Sequence, residues 1–341
     1  MSELVTADLG EGKKSKQKDR VRIVRRPVHG VLLLDKPKGL SSNDALQKVK
    51  WLLRAEKAGH TGTLDPLATG LLPLCFGAAT KFSQLHLDAD KCYAAVAQLG
   101  VKTSTGDAEG EVIETREVKV TPEQLQHVLQ SFKGAIQQVP PMHSALKKEG
   151  KALYEYARAG IEIERPARDV VIHELTAELV QKNDENMAVG REFIAYSAIK
   201  FIAKCSKGTY IRTLGEDIGE ALGCGAHLRS LRRIGTGGFD VSQCVTLEQL
   251  EAMTDEQRLA CLLPVDALLQ GLEKIELNAI DTQRFANGLS RRGQWPDGDK
   301  VAVYGHNPAV ILGVAHVKEG ELIPDRLLSN SDKEEILNNK F

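Results

Sequence analysis

The sequence of 341 residues lacks an unbroken apolar run of about 18 residues, which a membrane-spanning helix would need. It also lacks an excess of either charge, since 45 Lys and Arg residues face 46 Asp and Glu residues. A nucleic-acid-binding function would therefore need basic residues gathered on one face. With 42% hydrophobic and 27% charged residues, the composition is that of a globular protein and excludes collagen, coiled coil and disorder throughout.

Several motifs are also absent from the sequence. The six cysteines form no C-x-x-C pair, so we expect reduced thiols in the core and no metal site. The signatures G-x-x-x-x-G-K-[ST], G-x-S-x-G and H-E-x-x-H do not occur either. The first residues, MSELVTADLGEG, show no secretory signal pattern, so we predict a cytoplasmic protein without membrane attachment.

The first segment that stands apart is basic. Lys13 to Arg26 holds eight basic residues and one acidic residue, with few apolar groups to pack. We interpret residues 1–28 as a flexible basic tail, either simply solvated or acting as an electrostatic arm on a polyanion.

Hydrophobic periodicity and capping residues predict the main elements. Alternation in residues 199–205 is typical of a half-buried strand, and Thr121-Pro122-Glu123-Gln124 is typical of a helix start. Ser41 or Ser42 is positioned to cap a helix that buries Leu46 and Val49. The remaining predictions are strands at residues 31–35, 71–77, 92–99 and 111–115, a helix from Thr209 closed by Gly223, and a helix near residues 246–263.

These elements indicate an α+β fold in two domains. We predict a catalytic domain at residues 29–264 with a mixed, mainly antiparallel sheet. A polar, Pro-flanked stretch at about 137–168 interrupts it as an insertion. Short strand-like runs such as VAVYG and AVILGVAHV predict a small β-rich domain at 265–331, followed by a tail at 332–341.

The most informative stretch is GHTGTLDPLATG, residues 59–70, where three glycines and one proline enclose the single carboxylate of Asp65. Pro66 biases Asp65 toward an extended conformation outside any helix. An Asp in such a loop is a common turn former, and the same residue type can act as a nucleophile or base. The residues alone leave both interpretations open.

A series of motifs in fixed order extends this loop into a family resemblance. The run GHTGTLDPLATGLLP resembles the catalytic loop of the TruB-type tRNA pseudouridine synthases. It is accompanied, in family order, by GVLLLDKPKGLSSNDALQKVK, KCYAAVAQLG, SALKKEGKALYEYARAG, CSKGTYIRTLGEDIG and GCGAHLRSLRR. The match runs from about residue 30 to 250, with a weaker continuation to about 328.

The resemblance implies a cofactor-free and metal-free isomerisation of a uridine within RNA to pseudouridine. The family substrate is the uridine at position fifty-five in the T loop of tRNA, and a base inside folded RNA must be flipped out to react. A same-lineage synthase that acts on another RNA with guide RNA and partner proteins is the alternative within the enzyme class. An RNA chaperone or binding module, for which the chemistry is incidental, is the alternative from another class.

The resemblance also implies site residues. Asp65 matches the family nucleophile and Arg212 the arginine that pairs with it. Tyr93 matches the aromatic that stacks on the target uracil. The other matching positions are Tyr210 and Leu231, which line the pocket, His60, which organises flipped nucleotides, and Lys36 and Lys81, for which we expect ion-pair or scaffold roles. By residue type alone, the same positions could be core or surface residues.

RNA contacts are expected from clustered basic residues. The candidates for phosphate contact are Lys147, Lys148, Lys151, Arg229, Arg232, Arg233 and the basic tail. The 137–168 insertion resembles the family thumb that clamps the T loop, although Met142-His143 stands where many members have Tyr. Residues 265–331 resemble a small PUA domain, which would contact RNA or merely pack on the catalytic domain. We expect tRNA as the partner and a monomer that needs no protein partner.

Overall fold

The computed structural model describes residues 24–181, 196–306 and 309–338, so most of the predicted basic tail lies outside the described residues. Up to residue 181 the elements are β1 (Gly30–Lys36), α1 (Ser42–Leu52), β2 (Ala58–His60), β3 (Thr69–Phe76), α2 (Ser83–Leu87), β4 (Lys91–Leu99), β5 (Val101–Thr103), β6 (Val112–Thr115), α3 (Pro122–Ser131), β7 (Gly134–Gln138), β8 (Lys147–Lys148), β9 (Lys151–Ala152), α4 (Leu153–Arg158) and β10 (Arg168–Gln181).

The second half continues with β11 (Tyr196–Cys205), α5 (Ile211–Ala221), β12 (Ala226–Thr236), β13 (Phe239–Asp240), β14 (Val245–Thr246), α6 (Leu247–Ala252), α7 (Asp255–Ala260), β15 (Glu273–Glu276), α8 (Ala279–Ala286), β16 (Arg291–Arg292), β17 (Gly298–Gly305), β18 (Val310–Lys318), β19 (Glu321–Leu327) and α9 (Asn330–Asn338). Short 3-10 helices cover Gly77–Lys81, Val241–Gln243 and Val265–Leu269.

One large sheet organises the chain. Its order is β14-β1-β3-β12-β4-β11-β10-β7, with β2 added to β3 and β13 to β12. The β1–β14 and β3–β12 pairs are parallel and the other pairs are antiparallel. The predicted α+β fold with a mixed, mainly antiparallel sheet is confirmed.

Helices α1, α3 and α5 bury their apolar faces against one side of this sheet. Leu46 and Val49 of α1 are buried as predicted, as are Leu214 and Ile218 of α5. Each such side chain contributes roughly 1.5–3 kcal/mol when fully buried. The predicted start of α3 is confirmed too, because Thr121 and Gln124 form a reciprocal capping box.

The C-terminal sheet, in the order β15-β17-β18-β19-β16, packs on the other side of the large sheet where β1 and β3 run. The contact is apolar. On the side of the large sheet it uses Val31, Leu33, Leu71 and Cys75, and on the C-terminal side Ala302, Ile311, Val314 and Leu328. Two separately predicted modules are therefore joined by a shared core.

The structure differs from the sequence-based expectations at several elements. The helix expected near residues 246–263 is two helices. The backbone is extended at Thr254, after the end of α6, and the Thr254 side chain caps α7. Residues 330–338 form α9 where a tail was expected. At the other end, Arg26 pairs with Ala55 and Val28 is buried, so the chain is already anchored before residue 29.

Candidate active site

A cavity of about 420 Å³ opens where β4, β12 and the start of α5 meet. Its lining includes five of the predicted site residues, namely Asp65, Tyr93, Tyr210, Arg212 and Leu231. His60 does not line it; this half-buried side chain lies on β2, and burial lowers its pKa. The volume falls in the range of small-molecule sites in proteins.

Strand alternation places three of the lining side chains on one face. In the antiparallel β4–β12 pair, Tyr93 lies opposite Arg233 and Ala95 lies opposite Leu231. Because side chains two residues apart share a face, Tyr93, Leu231 and Arg233 all point to the same side of the sheet. The register between β4 and β12 therefore determines which side chains form this wall of the cavity.

The Gly-rich loop is held by α1 and by the turn after β1. The Ser42 hydroxyl accepts a hydrogen bond from the Leu64 N–H at 2.7 Å and donates to the Leu64 carbonyl at 3.0 Å. Gly39 N–H donates to the Pro66 carbonyl at 2.8 Å. These bonds fix the residues on both sides of Asp65. Ser41, rather than Ser42, caps α1.

Asp65 and Arg212 form an ion pair in the cavity. Arg212 Nη2 lies 3.0 Å from Asp65 Oδ2, and the exposed fraction is 7% for the Arg212 side chain and 42% for Asp65. The carboxylate is thus reachable from solvent while its guanidinium partner is buried. Such a charge-assisted pair orients the carboxylate for attack or proton abstraction.

Arg212 is fixed by further acceptors. Its Nη2 donates to the His143 carbonyl at 2.5 Å, and its Nη1 donates to the Thr105 carbonyl at 3.2 Å and to Asp107 Oδ2 at 3.4 Å. Asp107 is buried and accepts a hydrogen bond from the Thr105 hydroxyl at 2.6 Å. This network leaves the guanidinium little freedom.

Sequence reasoning missed two of these supporting residues. Asp107 carried no signal beyond an acidic residue in a Gly-containing turn. Gln138, buried at the end of β7, accepts from the Tyr210 N–H at 3.0 Å and donates to the Tyr210 carbonyl at 3.3 Å. An amide side chain that satisfies both backbone groups holds the start of α5 in place.

The two lysines expected in ion-pair or scaffold roles lie in different places. Lys36 is near Asp65, and Lys81 contacts the C-terminal helix α9. Lys36 is fully buried, and its ammonium donates to the Pro37 carbonyl at 2.9 Å and to the Leu40 carbonyl at 2.6 Å. Burial lowers the pKa of Lys36 to about 8, against the opposing charge of Asp65. Lys81 pairs with Asp332 of α9 at 2.9 Å.

The predicted thumb, residues 137–168, closes one side of Asp65. It consists of the β8–β9 hairpin and α4 between two strands of the large sheet. A second cavity of about 380 Å³ lies between the thumb and Asp65, with Tyr154 and Arg158 in its wall. Lys147 and Lys148 are exposed, while the Lys151 ammonium lies 4.7 Å from the Tyr156 ring centroid.

The three arginines of β12 do not form one basic surface. Arg229 is exposed at a bulge in the strand. Arg232 points to the opposite face from Leu231 and pairs with Asp35 at 3.0 and 2.7 Å. Arg233 is 1% exposed and lines the Asp65 cavity. Arg233 thus lies in the cavity wall and not on the outer surface.

A larger cavity, of about 620 Å³, lies on the opposite face of the sheet. Its wall includes Ala94, Val96 and Ile202, and two of its charged groups, Lys200 and Glu178, pair across strands at 4.0 Å. The guanidinium in its wall, that of Arg232, is bound to both oxygens of Asp35, a residue outside the cavity. Chemistry therefore points to the smaller cavity.

Neither a metal site nor a membrane span is found in the described residues. Within residues 24–181, 196–306 and 309–338, no three His, Cys, Asp or Glu side chains are grouped to hold a metal ion. None of the helices in these ranges has the length and apolarity needed to cross a bilayer. The free cysteines include Cys75, Cys205 and Cys224, which are buried as expected.

Family models match most of the region that holds this site. Residues 50–211 match the TruB family pseudouridylate synthase N-terminal domain, and residues 212–270 match the tRNA pseudouridylate synthase B C-terminal domain. The fold and the cavity thus belong to the pseudouridylate synthase class, which are isomerases. The expectation of an enzyme of this class is confirmed.

Curated relatives identify the family. The chain is 59% identical to the tRNA pseudouridine synthase B of Verminephrobacter eiseniae, covering 93% of this chain and 94% of the relative. It is 58% identical to the protein of that name from Ralstonia nicotianae, covering 89% and 95%. The chain belongs to the TruB family of pseudouridine synthases.

A solved structure shows the same fold. A chain of a Cbf5-Nop10-Gar1 complex aligns with a TM-score of 0.65 and 24% identity, covering 89% of this chain and 86% of the other. The alignment extends beyond the catalytic part into the C-terminal sheet. It supports the predicted arrangement of a large mixed sheet followed by a small β-rich module.

Proposed function

We propose that this chain isomerises the uridine at position fifty-five in the T loop of tRNA to pseudouridine, with Asp65 as the nucleophile. The observation that carries the proposal is the 3.0 Å ion pair between Asp65 and buried Arg212 inside a cavity walled by Tyr93 and Leu231. The relatives named tRNA pseudouridine synthase B support tRNA as the substrate.

The target uridine is flipped out of the T loop into the cavity, because its reacting atoms are shielded in folded RNA. The Tyr93 ring stacks on the base and keeps it in place after it leaves the ribose. Arg212 orients the Asp65 carboxylate and balances its charge. Attack on C1′, addition to the base and a route through a glycal all use the carboxylate at this position. No cofactor or metal takes part.

The T arm is held by the thumb and by exposed basic residues. Lys147, Lys148 and Lys151 on the thumb and Arg229 on β12 contact phosphates. The C-terminal β-rich module acts as a PUA domain on the acceptor stem. The basic segment before residue 24 adds a nonspecific contact. These assignments rest on charge and on family resemblance.

The enzyme acts alone, as a monomer in the cytoplasm, without guide RNA or protein partner. High identity to relatives named for tRNA supports this over a guide-dependent role, since the solved structure of a complex is only 24% identical. A separate tRNA-folding activity, independent of catalysis, is part of the proposal.

The decisive experiment incubates the purified chain with an unmodified tRNA transcript and maps pseudouridine along the product. Modification at the T-loop site without any other component is the expected result. Asp65→Asn should abolish it while tRNA binding persists, because the amide keeps the size of the side chain but is a far poorer nucleophile.

Asp255→Asn is the matched control, since Asp255 also pairs with an arginine, Arg258 at 3.1 Å, and is 32% exposed outside the cavity. Modification only after addition of a guide RNA would favour the alternative synthase. Near wild-type activity in Asp65→Asn would refute the nucleophile. Growth rescue of a deletion strain by Asp65→Asn would support the folding activity.

A further inference from the structure

Arg233 is a buried cation with unused hydrogen-bonding capacity. Its Nε donates to the Leu71 carbonyl at 2.7 Å, but its Nη2 is buried without any hydrogen-bond partner. Within the described part of the chain no carboxylate lies within 4.0 Å of its guanidinium. Burying an unpaired charge is costly, so a site that does so normally receives an opposite charge.

The titratable side chains around Arg233 are mainly basic. The charge of Arg233 adds to the burial that lowers the pKa of four neighbouring basic groups: Lys36, His60, Lys91 and His86. The Lys91 ammonium is already used, since it donates to the Leu87 carbonyl at 2.6 Å and to that of Ala89. The nearby carboxylate of Asp65 is paired with Arg212. Nη2 of Arg233 is therefore left without a partner on the protein.

The position of Arg233 selects which part of a nucleotide reaches it. Arg233 is directly opposite Tyr93 across β4 and β12 and shares a face with Leu231. Its 1% exposure contrasts with the 42% exposure of the Asp65 side chain, so Arg233 is at the deep end of the cavity and Asp65 near its opening. In a flipped nucleotide the base enters deepest and the phosphates stay at the opening.

We propose that Arg233 is a catalytic residue that binds a carbonyl oxygen of the target uracil and stabilises the negative charge that develops there. This inference rests on the proposed function. When the C1′–N1 bond breaks, its electron pair leaves with the base and is delocalised from N1 onto the ring carbonyl oxygens. In the route by attack on C1′, an Asp65 oxygen bonds to C1′ as that bond breaks. C5 then donates a pair to C1′, the bond between Asp65 and C1′ breaks with its pair returning to the carboxylate, the C5 proton departs to solvent, and N1 takes up a proton.

The geometry suits this role better than a structural one. A structural arginine would satisfy its donors on the protein, whereas Arg233 bonds the Leu71 carbonyl and the Tyr93 side chain and still leaves Nη2 without an acceptor. A preorganised donor in a water-poor cavity stabilises developing charge without reorganisation. Removal of one such donor typically slows catalysis by about 10²–10³-fold.

The test compares Arg233→Gln and Arg233→Lys with the wild-type chain in single-turnover reactions. One RNA carries uridine at the target site and a second carries 5-fluorouridine, whose fluorine withdraws electrons and makes the base a better leaving group. Cleavage is followed as loss of the intact nucleoside. RNA affinity and thermal unfolding are measured on the same proteins.

We expect Arg233→Gln to lower the rate with uridine by about 10²-fold at unchanged RNA affinity. The loss with 5-fluorouridine should be about tenfold smaller, because less charge stabilisation is needed. Arg233→Lys should recover part of the rate. Arg258→Gln is the matched control, since Arg258 Nε also donates to a backbone carbonyl, that of Leu250 at 2.7 Å, outside the cavity.

Equal rate losses with both RNAs would overturn the proposal and leave a structural role. A fall in affinity with little change in rate would overturn it in favour of a phosphate contact. If Arg233→Gln unfolds, the same comparison is made with Arg233→Lys. Wild-type protein that leaves uridine unchanged would refute the proposed function itself, a result distinct from a failure of Arg233 alone.

Discussion

Arg212 joins Asp65 to Asp107, with its Nη2 3.0 Å from one carboxylate and its Nη1 3.4 Å from the other. The two carboxylates differ in environment, because the Asp65 side chain is 42% exposed and that of Asp107 is 6% exposed. One guanidinium thus connects the partly exposed carboxylate of Asp65 to the buried carboxylate of Asp107.

Arg212→Lys should lower the single-turnover rate by about 10²-fold, because a single ammonium cannot reproduce the planar donor geometry that reaches both carboxylates. Arg212→Met should also cost about 3–5 kcal/mol of unfolding free energy, since Asp107 would be left buried and unpaired. Rates and denaturant unfolding measure the two effects. The control is Arg116→Lys, which alters a surface arginine that bonds Glu114 and Glu220 at 2.7 Å. An unchanged rate in Arg212→Lys would contradict this role.

Glu216, one turn after Arg212 on α5, should make stability depend on pH. Burial, with Asp217 nearby, raises the pKa of Glu216 from 4.5 to about 7. The unfolded chain releases this proton near pH 4.5 and the folded chain near pH 7, so stability falls as pH rises through that window. Glu216→Gln should remove this loss. The free energy of unfolding of the variant relative to wild type should be about 1–2 kcal/mol higher at pH 8 than at pH 4, allowing for screening.

Denaturant unfolding of both proteins across this pH range is the measurement. Glu220→Gln provides a control of opposite sign on the same helix, since hydrogen bonds from Arg116 and Lys102 lower the pKa of Glu220. Glu220→Gln should therefore give no gain at pH 8. Parallel pH profiles for wild type and Glu216→Gln would show that Glu216 does not titrate as stated.

The Lys81–Asp332 pair should help hold α9 against the rest of the chain. Burial opposes ionisation of Asp332, but hydrogen bonds from Ser329 and Lys81 prevail and lower its pKa to about 2. This contribution is present at neutral pH and lost as pH falls from about 4 to 2. A double-mutant cycle of Lys81→Met and Asp332→Asn should give a coupling of about 0.5–1 kcal/mol at pH 7. A coupling that persists at pH 2 would contradict the ion pair.

The exposed thumb lysines should contribute to RNA affinity but not to the chemical step. Lys147→Gln and Lys148→Gln should each reduce the slope of log affinity against log salt by about 1, while the rate at saturating RNA stays the same. Filter binding at several salt concentrations and single-turnover rates test this. Lys119→Gln is the control, because Lys119 is 77% exposed and pairs with Glu117 away from the cavity. An unchanged slope for both thumb variants would remove the thumb as a phosphate contact.

Local patterns predicted the helices that pack on the sheet and their capping residues. They could not predict Asp107 or Gln138, which act on residues 105 and 72 positions away in the chain. Asp65 and Arg212 were found through the order of family motifs, since neither stands out by residue type. The contact between them depends on how α5 packs against the Gly-rich loop, which the local sequence does not show.

The arginines of β12 show why composition alone was insufficient. A run of basic residues predicts a positive surface only if the side chains share a face, and β12 was not predicted as a strand. Once it is one, alternation sends Arg232 and Arg233 to opposite sides of the sheet. The sequence suggested one phosphate-binding patch, but in the structure Arg232 forms an ion pair near the surface and Arg233 is a buried cation.

The apolar contact of the C-terminal sheet with Val31, Leu33 and Leu71 has a consequence for dissecting this protein. Truncating the chain near residue 265 would expose to solvent the apolar face of β1 and β3 that the C-terminal sheet covers. These same strands flank the loop that carries Asp65. The truncated protein would therefore tend to aggregate or lose activity even if the removed part makes no contact with RNA. Point substitutions are the better way to separate binding from catalysis.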